Sequence, residues 1–123
     1  MITAFCIAIG GALGALFRYF LCHAVNTTCS ITFPIATLTV NLLGGFIMGL
    51  LTGYMTYKGI FPLNLKAFLI TGLLGGFTTF SAFSLDFVLL LERGKWSYAF
   101  LYALISVSLS VLALLWGMTL MRS

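Results

Sequence analysis

Four long apolar runs follow one another along this chain, at about residues 2–25, 33–57, 65–91 and 96–121, separated by short polar connections. Each run reaches the ~20 residues that a helix needs to cross a bilayer, so the pattern predicts four membrane-spanning helices. The connections hold most of the charge: Lys58 and Lys66 in one, then Glu92, Arg93 and Lys95 in another. One run is interrupted. Residues 72–84 place Gly72, Gly75 and Gly76 beside Thr78, Thr79, Ser81 and Ser84, within a stretch otherwise apolar enough to span. Backbone in hydrocarbon has no water to bond, so such an interruption persists where it lines a cavity or binds something. The helix is expected to break near residues 75–78, with Gly75-Gly76 as the weakest point, because glycine is unfavourable in a helix interior.

Composition agrees with the pattern. Of 123 residues, 62% are hydrophobic and 7% charged, against roughly 25% charged in soluble domains. The reading is an all-α membrane protein with one four-helix domain over residues 1–123 and no internal repeat. The first run lacks a basic leader and carries Arg18 near its far end, so it is expected to be a retained helix and not a signal peptide. A net charge of +4 arises from cations at helix ends with no basic cluster, which points to headgroup anchoring and not to nucleic acid. With four spans, Lys58, Lys66 and Arg122 share one membrane side; Arg93 and Lys95, with Arg18 near the same surface, fall on the other. That is almost no positive-inside bias. A chain without bias can insert both ways, and opposed copies can pair as an antiparallel homodimer.

Several polar residues fall on shared faces. Gly10, Gly11 and Gly14 form a small-residue strip that suits close helix packing, and Arg18 follows it. Arg18 serves either as a headgroup anchor or as a fixed vestibule cation that concentrates anions. Thr37 and Asn41 are four apart on the second span; the Asn41 amide either glues helices together or offers N–H donors to an anion. Tyr102, Ser106 and Ser110 recur every four residues as a hydroxyl track. At a helix break, carbonyls end the first half and N–H groups begin the second. The carbonyl end can hold a small hard cation, with Thr78, Thr79 and Ser81 satisfying what remains. Phe80 and Phe83 lie on one face; packing is their ordinary role, but ring edges carry positive potential and can meet an anion. Cys6, Cys22 and Cys29 have no metal spacing and read as small buried hydrophobes. His23 has no acid or nucleophile nearby, which speaks against an enzyme.

These residues resemble the small bacterial fluoride channels, the Fluc or CrcB family. The run from Gly10 through Gly14 to Arg18 and Tyr19 resembles that family's first-helix signature. The run from Ala36 through Thr37 and Asn41 to Gly44 is similar to its second, with Ala36 where glycine is common. Gly72 through Gly75, Gly76, Thr78, Thr79, Phe80, Ser81 and Phe83 resembles its third-helix break. The resemblance implies a dual-topology antiparallel homodimer in the bacterial inner membrane, with two pores, passively exporting fluoride and lowering its toxicity. It implies one structural, untransported Na+ held by backbone carbonyls of Gly75 and Thr78 from both subunits. Phe80 and Phe83 would present ring edges to fluoride, Asn41 would donate to it, and Thr37, Tyr102, Ser106 and Ser110 would form the polar track. Arg18 would sit near a vestibule. Asp86 stands where the family carries an acid, often Glu, and its shorter side chain reaches less far. Amides, hydroxyls and ring edges can replace fluoride's water without a full positive charge that would trap the ion. The alternative is a small four-helix multidrug or cation transporter. Such proteins need a carboxylate in the first span, and here the only acids are Asp86 and Glu92.

Overall fold

The computed structural model describes residues 1–28 and 33–122; Cys29, expected in the first loop, lies outside them. Helix α1 runs Ile2–Thr28 and α2 runs Ile35–Tyr57. The third crossing, Leu63–Glu92, is assembled from pieces. These are α3 (Leu63–Lys66), a π-helical stretch (Ala67–Leu74), α4 (Gly75–Phe77) and α5 (Ser81–Glu92). Helix α6 runs Trp96–Arg122. At 1.5 Å per residue the 27-residue α1 and α6 are about 40 Å long, more than the ~30 Å hydrocarbon layer requires. All four crossings are long and apolar enough to span a membrane.

Local chemistry sets the ends. Pro34 and Pro62 stand immediately before α2 and α3, where a missing N–H does no harm. Helix α5 stops at Gly94, whose φ of 76° is the left-handed conformation. There Gly94 N–H donates to Leu91 O (3.0 Å) and Lys95 N–H to Leu90 O (2.9 Å), a Schellman closure that turns the chain into α6. On the opposite side of the bundle, Thr3 Oγ1 donates to Asn64 Oδ1 (2.7 Å), tying α1 to α3. Arg122 Nη2 donates to Tyr57 OH (3.1 Å) and lies over its ring, tying α6 to α2.

The helices pair as α2 with α6 and α1 with the third crossing. Lipid tails are as apolar as leucine, so close backbone approach, not hydrophobic exclusion, holds such pairs. Glycine permits that approach. A Cβ on Gly53 would lie 2.9 Å from Met118 Cα, and one on Gly117 2.8 Å from Leu50 N. In the other pair, a Cβ on Gly10 would lie 2.5 Å from Phe68 O, and one on Gly76 2.6 Å from Gly11 O. The buried centre gathers Leu90, Ala99 and Tyr102, with Phe33, Leu38, Phe83 and Phe87 packed around them.

The third crossing differs in detail from the sequence expectation. Gly75 is helical (φ −61°, ψ −38°), and the chain first becomes extended at Thr78 (φ −83°, ψ 156°). The interruption occupies residues 78–80, at the downstream limit of the expected 75–78. Gly76 serves close contact with α1, so its small size matters here and its dihedral freedom is not used. The π-helical stretch had no signal in the hydrophobic pattern. Such turns recur at functional sites.

Candidate ion pathway at the broken crossing

Side chains, more than glycines, hold the break open. Asn41 on α2 reaches across and bonds both backbone groups of one residue, Thr79. Its Nδ2 donates to Thr79 O (3.0 Å) and its Oδ1 accepts Thr79 N–H (2.9 Å). In a continuous helix Thr79 N–H would donate to Gly75 O. One residue ahead of the formal cap, Thr79 Oγ1 accepts Ala82 N–H (3.1 Å), the amide that would otherwise reach Thr78 O. The carbonyls of Gly75 and Thr78, which the family resemblance implies as cation ligands, thus lose their intrahelical donors, as do those of Gly76 and Phe77, to which no N–H from Phe80 or Ser81 returns. The carbonyl between α4's start and its end is treated differently: Gly76 O accepts Arg18 Nε (3.2 Å). Leu74 O accepts both Thr78 N–H (3.0 Å) and Thr78 Oγ1 (2.9 Å).

Beside the break lies a groove of about 370 Å³, lined by Asn41, Thr78, Thr79, Phe80, Phe83, Ser106 and Ser110 together with apolar Met48, Val107 and Leu114. Gly44 also lines it, and a side chain there would meet the Thr78 methyl. Phe80 is 77% exposed and projects from the chain, with its ring centroid 5.5 Å from that of Phe83. Phe83 in turn lies 5.1 Å from the Tyr102 ring. Ser106 Oγ is buried and has no hydrogen-bond partner among the described residues. Buried hydroxyls are rarely left so; Ser106 is among the groove-lining residues, while the oxygen itself is shielded.

The sequence-predicted side chains divide into four places. Asn41, Phe80, Phe83, Ser106 and Ser110 share the groove. Thr37 faces a second hollow of about 220 Å³ with Asn26, Asp86 and Arg93. Tyr102 is fully buried, and its hydroxyl donates to Asp86 Oδ2 (3.2 Å), so the shorter acid does reach the track. Arg18 is half-buried against Gly76 O. Sequence reading missed three pairings: Asn41 with Thr79, Asp86 with Tyr102, and Arg18 with Gly76 O. The signal available for the first was an amide side chain in one span and a hydroxyl-rich break in another. Nothing in spacing could join them.

Four crossings long and apolar enough to span a membrane, one of them unwound beside a groove that carries amide, hydroxyl and aromatic side chains, define a multi-pass membrane protein. The chain belongs to the CrcB-like protein family (camphor resistance, CrcB), which it matches over residues 5–118. It is 44% identical over 121 residues to the fluoride-specific ion channel FluC of Rhodopseudomonas palustris (strain BisB5), with 98% of each chain covered. It is 48% identical over 116 residues to FluC of Magnetococcus marinus (strain ATCC BAA-1437 / JCM 17883 / MC-1), covering 94% of each. Against FluC of Rhizobium etli (strain ATCC 51251 / DSM 11541 / JCM 21823 / NBRC 15573 / CFN 42) it is 43% identical over 123 residues, 100% of this chain and 98% of the relative. A member of this family is not an enzyme.

Proposed function

We propose that the protein is a fluoride-selective channel of the bacterial inner membrane, passively exporting F− and so lowering cytoplasmic fluoride. The observation that carries the reading is the groove at the break, where Asn41, Ser106, Ser110 and the Phe80 and Phe83 rings converge. Fluoride is small, hard and strongly hydrated. Hydroxyl and amide donors with aromatic edges can replace its water, and the absence of a full positive charge in that groove lets it leave again. Thr37 and Tyr102 extend the same track toward Asp86. Hydrogen fluoride that enters a cell dissociates inside, and the inside-negative potential then drives the anion outward. The full-length FluC relatives support this assignment.

Two finer features belong to the same proposal. The working unit is an antiparallel homodimer with two pores, and the exposed Phe80 ring, which a lone chain leaves uncovered, supports a second copy against this face. A structural sodium ion, not transported, is held by the Gly75 and Thr78 carbonyls of both copies. The donor set fits: these are hard oxygens, and both have lost their intrahelical N–H partners. When bound, such an ion supplies positive charge that offsets an anion's cost at mid-membrane.

Anion efflux from proteoliposomes tests the assignment. Fluoride release without chloride release is expected; equal release of both, or neither, refutes it. Replacing sodium on both sides with a larger cation is expected to weaken flux, and full flux in sodium-free conditions would reject the central ion.

A further inference from the structure

We infer that Arg18 is a positioning residue, clamping the end of the first half of the broken crossing and so deciding which backbone carbonyl remains available there. A helix end leaves carbonyls without donors. At the end of α4, Leu74 O is satisfied by Thr78, Gly76 O is taken by Arg18 Nε, and the donor of Gly75 O is diverted to Asn41. Arg18 therefore removes Gly76 O from any contest for a cation and pins the peptide next to Gly75.

The placement is built in. Gly10, Gly14, Gly72 and Gly76 bring α1 and the third crossing into backbone contact. Arg18 lies four residues beyond Gly14, on the same face of α1, at the level where α4 ends. A cation at a helix C-terminus is favourable, and an intramembrane guanidinium is stabilised by a carbonyl partner. Lysine is not equivalent: it offers a point charge on a flexible stem in place of a planar, directional donor. Arg18 thus acts through the backbone it holds, which distinguishes it from a free vestibule cation whose charge alone matters.

The flux arm of the test rests on the fluoride-channel reading; the exchange arm does not. Arg18→Lys and Arg18→Gln are reconstituted beside the unaltered protein. Hydrogen exchange is followed by mass spectrometry at the amides of residues 78, 79 and 82, and fluoride efflux is titrated with sodium. Both variants are expected to exchange about tenfold faster at these amides and to need about tenfold more sodium for half-maximal flux, the size of one hydrogen bond to a charged donor. Because Arg18→Lys keeps the charge, it remains informative if Arg18→Gln fails to assemble. Unchanged exchange in Arg18→Lys would overturn the clamp. So would a pattern in which lysine restores flux fully, glutamine lowers it only at low ionic strength, and exchange never moves; that pattern marks a vestibule charge. If the unaltered protein shows no sodium dependence, the central-ion proposal fails, and the exchange result alone decides the role of Arg18.

Discussion

Replacing Asn41 by leucine removes both bonds that keep Thr79 out of the helix, at 3.0 and 2.9 Å. Each such bond contributes about 1 kcal/mol net, and each stranded, part-buried group on Thr79 costs a further ~1–3 kcal/mol where water cannot reach it. The Thr79 N–H bond to Gly75 O belongs to the continuous helix whichever residue stands at position 41, so only the broken form loses. Counting the two lost bonds alone, the equilibrium moves at least about 2 kcal/mol toward a continuous helix, roughly 30-fold in the population of the broken form. Leucine is close to asparagine in size and suits a membrane span better, so assembly itself is expected to survive. The expected result is an intact particle by size-exclusion chromatography, with fluoride efflux from proteoliposomes reduced at least tenfold, or ~1.4 kcal/mol. Wild-type efflux, with unaltered hydrogen exchange at Thr79, would refute the idea that Asn41 holds the break open.

Neighbouring glycines on α1 should behave oppositely. Gly10→Ala would place a methyl 2.5 Å from Phe68 O and 2.9 Å from Leu73 N, both backbone, whereas the nearest atom to a Cβ on Gly11 is Gly72 O at 3.8 Å. Alanine gains about 1 kcal/mol of helix propensity at either site, but overpacking costs Gly10→Ala about 1–3 kcal/mol or more. Denaturation in detergent should therefore rank Gly11→Ala above Gly10→Ala, and equal midpoints would contradict the packing. Phe80→Ile and Phe83→Ile should each lower fluoride efflux about fivefold while the oligomer persists, since an aromatic edge is worth ~1 kcal/mol and aliphatic packing can replace the rest; unchanged efflux in the double variant would remove the rings from the pathway. Ser106→Ala deletes a buried hydroxyl without a partner. It should raise stability by up to about 1 kcal/mol while reducing flux, and loss of stability would show that Ser106 has a structural bond.

The amino-acid order alone determined the class and the outline. Hydrophobicity is local and additive, so four spans and their short connections follow from counting. Period-four spacing was enough to line Tyr102, Ser106 and Ser110 along α6, because a helix converts sequence separation into direction. The hydroxyl-rich run after Gly75-Gly76 marked the crossing that unwinds, since polar backbone in hydrocarbon needs a reason. Which peptide unwinds was decided elsewhere in the chain. Asn41 is 38 residues from Thr79, and Arg18 is 58 from Gly76. Hydrogen bonds over such separations depend on how helices sit beside one another, which no local pattern encodes. The same holds for Asp86 and Tyr102, joined because α5 turns back on α6 through Gly94. Glycine invited the expectation of a hinge. Only the packed structure showed that Gly76 admits a neighbouring helix instead, while an asparagine side chain draws the next residues out of line.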